Sequence, residues 1–99
     1  EKIPVVAVNS PNVFALEVRG TSMNLIAPPG AHIVVDYGDK ELIDGKCYVV
    51  MQGDDSTFKR YRANPTRLEP VTSDPNHEII FPENGTTVVG RVIKVVTDL

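Results

Sequence analysis

Apolar and polar residues alternate along short runs of this chain, which is the pattern of half-buried β-strands. In residues 13–19, Phe14, Leu16 and Val18 share one face, while Glu17 lies on the other. Clusters of Gly, Pro, Asn and Asp separate these runs, and helical periodicity is almost missing. The pattern therefore predicts an all-β domain built from short strands.

Three of the predicted strands differ from the rest: residues 32–37 and 87–96 are apolar on both faces, and residues 46–52 are expected to form another buried strand. Residues 32–37 are expected to be central in the sheet, and residues 87–96 are expected to be central or covered by another surface. Gly53-Asp54-Asp55 predicts a hairpin turn between two of the strands. The full set of predicted strands is 13–19, 32–37, 46–52, 56–62, 67–71, 78–81 and 87–96, after an extended edge segment at residues 1–8.

The length, composition and net charge of the chain limit the functions that it can have. A chain of 99 residues is the size of one domain, and 41% hydrophobic with 23% charged residues is the composition of a folded protein. The net charge of −3 provides no basic surface for DNA or for an anionic membrane. Any contact with DNA is therefore expected from another part of the protein, and no apolar run reaches the ~18 residues of a membrane span.

Cofactor and metal chemistry find no support in the sequence. The single cysteine, Cys47, lies in an apolar run and is expected to be packed in the core. No cluster of His and Cys has metal-ligand spacing, and Asp54-Asp55 is expected to be solvated in its turn. We expect neither a cofactor nor a metal. The chain opens at Glu1 without a methionine, and we expect it to be a fragment of a longer multidomain protein.

The candidate chemistry begins at Gly20-Thr21-Ser22-Met23, where a strand ends and a short apolar turn follows. A serine at such a junction presents its hydroxyl, so Ser22 is the candidate nucleophile. A serine hydroxyl needs a base to remove its proton. His32 begins a strand and His77 lies in a polar loop, so neither suits that role. Lys59 is the candidate base, since Ser-Lys pairs are a known alternative to the triad.

A lysine base must be uncharged. At a reference pKa of ~10.4, only about one lysine in 2,500 is neutral at pH 7. Burial can lower this value by roughly 3–5 units. Strand alternation places Lys59 on one face with Thr57 and Tyr61, and the like charges of Arg60 and Arg62 are expected to disfavour the ammonium further.

Two motifs in register resemble the LexA/UmuD-type family of self-cleaving repressors, phage repressors included. Gly20-Thr21-Ser22-Met23 resembles the family's nucleophile motif, and Thr57-Phe58-Lys59-Arg60-Tyr61 resembles the strand with its catalytic lysine, 37 residues further on. The closing strand Val89-Gly90-Arg91-Val92-Ile93 is also similar, and the resemblance runs from about residue 13 onward. It implies short, strongly bent antiparallel strands with one short helical turn after Ser22.

The resemblance also implies a function. Residues 1–99 would be a single cytoplasmic Ser-Lys self-cleavage and dimerisation domain, and an N-terminal DNA-binding domain and a cleavable linker would lie outside this chain. Family members form homodimers, in some phage repressors higher oligomers. The RecA–single-stranded DNA filament stimulates them, in the SOS response, to cleave an Ala-Gly or Cys-Gly bond before the domain.

The roles of individual residues follow from the same resemblance. Ser22 would attack the scissile carbonyl, Lys59 would move the proton, and the backbone N–H groups of Ser22 and Met23 would hold the oxyanion. No Ala-Gly or Cys-Gly bond precedes Ser22, so the scissile bond is expected upstream of Glu1.

Two other hypotheses remain open at the level of sequence. The first is a non-catalytic dimerisation module of the same ancestry, in which Ser22 and Lys59 cleave nothing. The second is a signal-peptidase-like enzyme, which also uses Ser and Lys. The latter needs a membrane anchor or apolar loops that contact a membrane, and the sequence displays neither.

Overall fold

One antiparallel sheet of six strands organises the chain in the computed structural model, which describes residues 12–82 and 85–97. The spatial order of the strands is β1-β2-β6-β3-β4-β5. The predicted all-β class is confirmed, and the described part of the chain contains no helix of the length and hydropathy that a membrane span requires. The strands are β1 (Val13–Glu17), β2 (His32–Asp36), β3 (Cys47–Gln52), β4 (Asp55–Arg62), β5 (Arg67–Glu69) and β6 (Thr86–Val96).

Most strand predictions are confirmed within one or two residues. The hairpin between β3 and β4 turns at Gly53 and Asp54, as predicted. The predicted strand 78–81 is reduced to a single bridge, in which Ile80 and Leu68 exchange both backbone hydrogen bonds at 2.8 Å. The extended edge segment expected at residues 1–8 lies outside the described residues.

The closing strand β6 is central, between β2 and β3, so that prediction is confirmed. Its contact with β3 is interrupted by a bulge: Val49 pairs with Gly90 but Val50 pairs with Val88. Val89 is therefore an extra residue on β6. Such a bulge bends the strand and increases its local twist.

A second bulge lies on the β2 side of β6, where Ile93 is extra between the paired residues Val92 and Lys94. Each bulge breaks the two-residue alternation of side chains. Val89, Val92 and Val95 consequently all pack against the same core cluster. The apolar residues of β6 therefore depart from regular alternation because of the two bulges.

The core is divided between the two faces of β3. One cluster surrounds Val49, and the other surrounds Tyr48 and Val50. Tyr48 is fully buried, and its hydroxyl accepts the Ile43 N–H at 2.8 Å and donates to the Glu41 carbonyl at 2.6 Å. A buried tyrosine needs such partners. The first cluster contains Val18, Ala27, Ala31, Ile33, Val35 and Val49, and the second contains Tyr48, Val50 and Leu68.

Gly90 is the position in β6 where a side chain has no room. A Cβ added there would lie 2.8 Å from the Tyr37 Cα and closer still to the Asp36 carbonyl oxygen. We predict that Gly90→Ala lowers the free energy of unfolding by about 1–3 kcal/mol, the usual cost of overpacking. The measurement is urea unfolding. Lys94→Ala, at an exposed site on the same strand, should stay within about 0.5 kcal/mol of the parent chain. Equal midpoints for both variants would contradict the close approach.

Candidate active site

The Ser22 turn follows directly from the end of β1. Gly20 has a φ of +75°, a left-handed conformation that lets the chain reverse direction after Arg19. The Met23 carbonyl then accepts the N–H groups of Ile26 at 2.9 Å and Ala27 at 2.8 Å. This is the single helical turn expected after the serine. Met23 is 1% exposed and fixes the turn to the protein interior.

Lys59 reaches Ser22 from the middle of β4. The Lys59 Nζ lies 3.0 Å from the Ser22 Oγ, across 37 residues of sequence. The lysine is 7% exposed and pairs in the ladder with the fully buried Tyr48. Its Nζ also lies 2.7 Å from the Thr57 Oγ1 and 3.2 Å from the Phe58 carbonyl oxygen. The structure therefore brings the two predicted catalytic side chains into hydrogen-bond contact.

The three contacts of Nζ fit a neutral amine. A neutral lysine has two N–H donors and one lone pair, whereas an ammonium has three donors and no acceptor. Thr57 and Phe58 can take the two N–H groups, which leaves the lone pair for the Ser22 O–H. Loss of one proton thus reverses the direction of the Ser22–Lys59 hydrogen bond without moving a heavy atom.

Burial lowers the pKa of Lys59 because desolvation disfavours its charged form. Among the described residues, no carboxylate forms an ion pair with Nζ that would restore the pKa. Both features favour the neutral form that a general base requires.

The prediction that Arg60 and Arg62 help to lower the pKa of Lys59 was wrong. Both lie on the opposite face of β4 from Lys59, and their Nε atoms bind the Glu69 Oε1 at 2.9 and 3.0 Å. Burial raises the pKa of Glu69, but hydrogen bonds from these two guanidinium groups outweigh it and leave the pKa lowered. The two positive charges are thus paired with a carboxylate, and desolvation is the cause of the Lys59 shift.

The predicted oxyanion donors, the Ser22 and Met23 N–H groups, remain predictions, but the structure shows their surroundings. Within the described residues, neither N–H donates to another protein group. The carbonyl of Thr21 accepts a hydrogen bond from the Thr72 hydroxyl at 2.6 Å. The carbonyl of Ser22 accepts one from the Val71 N–H at 3.0 Å.

Thr21, Asp74 and His77 form a polar cluster beside Ser22 that the sequence did not indicate. The Thr21 hydroxyl donates to the Asp74 Oδ2 at 3.1 Å and lies 2.8 Å from the His77 Nε2. The same nitrogen lies 3.3 Å from the Asp74 carboxylate. This arrangement is not a nucleophilic triad, because in a triad the carboxylate binds the other ring nitrogen. His77 is a satisfied histidine, and the Asn76 N–H, bound to Asp74, is the main cause of the lowered pKa of that carboxyl.

A cleft of about 180 Å³ opens beside the serine. One wall comes from residues 16–19 at the end of β1, and the other comes from residues 56–58 of β4. Ser22 and Met23 contribute to the lining. Both walls of the cleft include strand residues, from β1 on one side and from β4 on the other.

Cys47 does not line the cleft beside Ser22. Burial raises the pKa of the Cys47 thiol, although the charges of Arg60 and Lys46 lower it in part, so the thiol form is favoured. Residues 12–82 and 85–97 contain no group of three or more His, Cys, Asp or Glu side chains that could hold a metal ion.

The sequence is similar to known proteins along most of its length. The profile of the Peptidase S24-like family matches residues 2–93. The LexA repressor of Paraburkholderia xenovorans (strain LB400) is 33% identical over 73 residues, which is 74% of this chain and 34% of that protein. The LexA repressor of Desulfitobacterium hafniense (strain DSM 10664 / DCB-2) is 30% identical over 93 residues, 94% of this chain and 45% of that protein.

A phage protein shows the same similarity over a shorter stretch. The Repressor protein CI of Enterobacteria phage phi80 is 38% identical over 53 residues, 54% of this chain and 22% of that protein. The chain therefore spans less than half the length of each of these curated relatives. The resemblance to LexA/UmuD-type repressors is confirmed, and the chain belongs to the Peptidase S24-like family.

Proposed function

We propose that residues 1–99 form one domain, the C-terminal self-cleavage and dimerisation domain of a transcriptional repressor. Ser22 is its nucleophile and Lys59 its general base. The observation that supports this most strongly is the 3.0 Å contact between Nζ and Oγ, with the lysine only 7% exposed. Membership of a peptidase family supports the same chemistry.

The reaction is acyl transfer followed by hydrolysis. The substrate is a peptide bond of the linker upstream of the domain, held in the cleft beside Ser22. The Ser22 Oγ attacks the carbonyl carbon while the Lys59 Nζ takes the hydroxyl proton, and Lys59 then gives that proton to the leaving amine. The Ser22 and Met23 N–H groups stabilise the tetrahedral oxyanion. A water molecule, deprotonated by Lys59, then hydrolyses the ester.

Thr57 and the Phe58 carbonyl orient the amine for this task. They accept the two N–H groups of a neutral Lys59, so that its lone pair points at the Ser22 hydroxyl. Thr57 is therefore a positioning residue that acts through Lys59. Because Thr57 lies two residues before Lys59 in β4, the two side chains are on the same face of the strand.

Self-cleavage would separate the DNA-binding half of the repressor from the half that dimerises it. Operator affinity then falls because the linked binding of two half-sites is lost. We propose the RecA–single-stranded DNA filament as the stimulus and the cytoplasm as the location. Contact with DNA belongs to the N-terminal domain.

This mechanism predicts self-cleavage of the chain when it is extended upstream through its linker. The rate should rise with pH and level off once Lys59 is neutral, because only the neutral amine is a base. Ser22→Ala should abolish cleavage, and Lys59→Ala should lower its rate by at least about 100-fold, the usual contribution of a general base. Gel electrophoresis of fragments over time measures the rate at each pH.

The matched control is Lys40→Ala, which removes an exposed lysine from a loop away from the cleft. It should cleave at the parent rate, and addition of RecA–single-stranded DNA filament should accelerate the parent near neutral pH. An extended chain that stays whole at alkaline pH would overturn the peptidase proposal and favour a non-catalytic dimerisation module.

The free energy of unfolding should depend on pH because the Lys59 amine is buried. Because the pKa of Lys59 is lower in the folded than in the unfolded state, the unfolded chain binds more protons between the two values. The unfolding free energy of the parent, relative to Lys59→Met, should therefore rise with pH up to ~10.4, by at most about 1.4 kcal/mol per pH unit. Urea unfolding at several pH values measures this difference. Lys40→Met, at an exposed site, is the control for the loss of a lysine as such, and a flat result for Lys59→Met would contradict the lowered pKa of Lys59.

Dimerisation can be tested on this chain directly. Sedimentation equilibrium at micromolar to hundred-micromolar concentrations should show a species of twice the 10.8 kDa chain mass. A single 10.8 kDa species throughout that range would contradict the dimerisation role while leaving the self-cleavage chemistry intact.

A further inference from the structure

The chain from residue 71 to residue 77, called here the 71–77 segment, lies along the Ser22 turn and bonds to it repeatedly. Its partners in the turn belong to residues 21–25. Some bonds join backbone to backbone, such as the Leu25 N–H to the Val71 carbonyl at 3.2 Å. Others join side chains, such as the Asn24 Nδ2 to the Ser73 Oγ at 3.1 Å. Two of these bonds end on the carbonyl groups of the peptide units that contain the candidate oxyanion donors.

Peptide geometry gives those two bonds a specific consequence. The Thr21 carbonyl and the Ser22 N–H belong to one planar trans peptide unit, and the Ser22 carbonyl and the Met23 N–H belong to the next. In a trans peptide the C=O and N–H point in opposite directions. The Thr72 hydroxyl holds the first carbonyl at 2.6 Å, and the Val71 N–H holds the second at 3.0 Å. Both N–H groups are thereby turned away from the 71–77 segment.

The Thr72 hydroxyl both accepts and donates a hydrogen bond in this arrangement. Its oxygen accepts the Asp74 N–H at 2.9 Å, so its single proton is left for the Thr21 carbonyl. The Thr21 side chain is held in turn by Asp74 and His77. The first peptide unit of the Ser22 turn is therefore fixed by bonds at its carbonyl and at the adjacent side chain.

We propose that Thr72 is a positioning residue for the oxyanion hole, acting through the Thr21–Ser22 peptide unit. This inference rests on the proposed function, since it concerns the direction of the Ser22 N–H during acyl transfer. Preorganised donors stabilise a transition state only when they already point to the place where charge develops. Without the Thr72 hydroxyl, the Thr21 carbonyl loses its partner, and the peptide unit can rotate about its flanking bonds.

Four forms of the full-length protein test this proposal: the parent, Thr72→Val, Thr72→Ser and Ser73→Ala. Valine keeps the shape of threonine but removes the hydroxyl, and serine keeps the hydroxyl. Ser73→Ala is the matched control, because it removes a hydrogen bond between the same segment and the same turn that ends on the Asn24 side chain and not on a peptide carbonyl. The readout is the self-cleavage rate against pH.

Thr72→Val should lower the alkaline plateau rate by about 10- to 100-fold, the scale on which misaligned groups or a lost oxyanion donor reduce catalysis. The pH midpoint should not move, because Lys59 is untouched. Thr72→Ser should restore most of the rate, and Ser73→Ala should cleave like the parent. Thermal melting by circular dichroism verifies that the variants are folded at the assay temperature; if Thr72→Val is not, the smaller Thr72→Ala replaces it.

Other outcomes overturn the inference. A Thr72→Val plateau equal to that of Ser73→Ala would show that the hydroxyl is structural only, while Ser22 and Lys59 retain their roles. A displaced pH midpoint with an unchanged plateau would show that Thr72 acts on Lys59. If the parent itself does not cleave, the proposed function falls. Amide hydrogen exchange then decides the inference: Thr72→Val must change exchange at the Ser22 and Met23 amides relative to Ser73→Ala, and equal rates would overturn it.

Discussion

A buried amine that forms no ion pair with any residue in 12–82 or 85–97 is the constraint on which the rest of this site depends. Lys59 is enclosed opposite Tyr48 in the sheet, and its three polar contacts are two hydroxyls and a carbonyl. None of these partners carries a charge, so nothing offsets the loss of hydration when the lysine is protonated. In general, each unit by which burial lowers a lysine pKa costs about 1.4 kcal/mol of folding stability while the group stays charged. The same desolvation that weakens the protonated fold favours the neutral amine that a general base requires.

The fold places the Lys59 amine beside Ser22 by joining two distant parts of the chain. β4 supplies a rigid support for Lys59, since it is paired on both edges, with β3 and β5. Ser22, in contrast, lies on an irregular turn, where rigidity must come from contacts with other elements. Gly20 sets the direction of the chain, the buried Met23 fixes the turn to the interior, and the 71–77 segment holds its carbonyl groups. The placement of Ser22, the proposed nucleophile, thus depends on bonds from a segment about 50 residues away in sequence.

The sequence predicted the strands and the proximity of Ser22 and Lys59 but not the contacts that orient them. Strand positions followed from the alternation in β1 and from the short apolar runs of β2, β3 and β6, which turn residues separate. The bulges at Val89 and Ile93, which decide which residues of β6 reach the core, leave no such signal. The bonds of Thr72 and His77 to the Ser22 turn escaped prediction because threonine and histidine in a polar loop give no periodic signal. The effect assigned to Arg60 and Arg62 failed for another reason: proximity in sequence put their charges near Lys59, whereas strand alternation and Glu69 direct them to the other face.

The pKa of Lys59 itself is the most direct test of this account. Selective ¹³Cε labelling of lysine lets nuclear magnetic resonance follow the titration of each of the five lysines separately. We predict that one resonance, assigned through its loss in Lys59→Met, titrates below the reference value of ~10.4. Titration of Lys59 at or above that value would contradict this, because a lysine that stays protonated cannot remove the proton from Ser22.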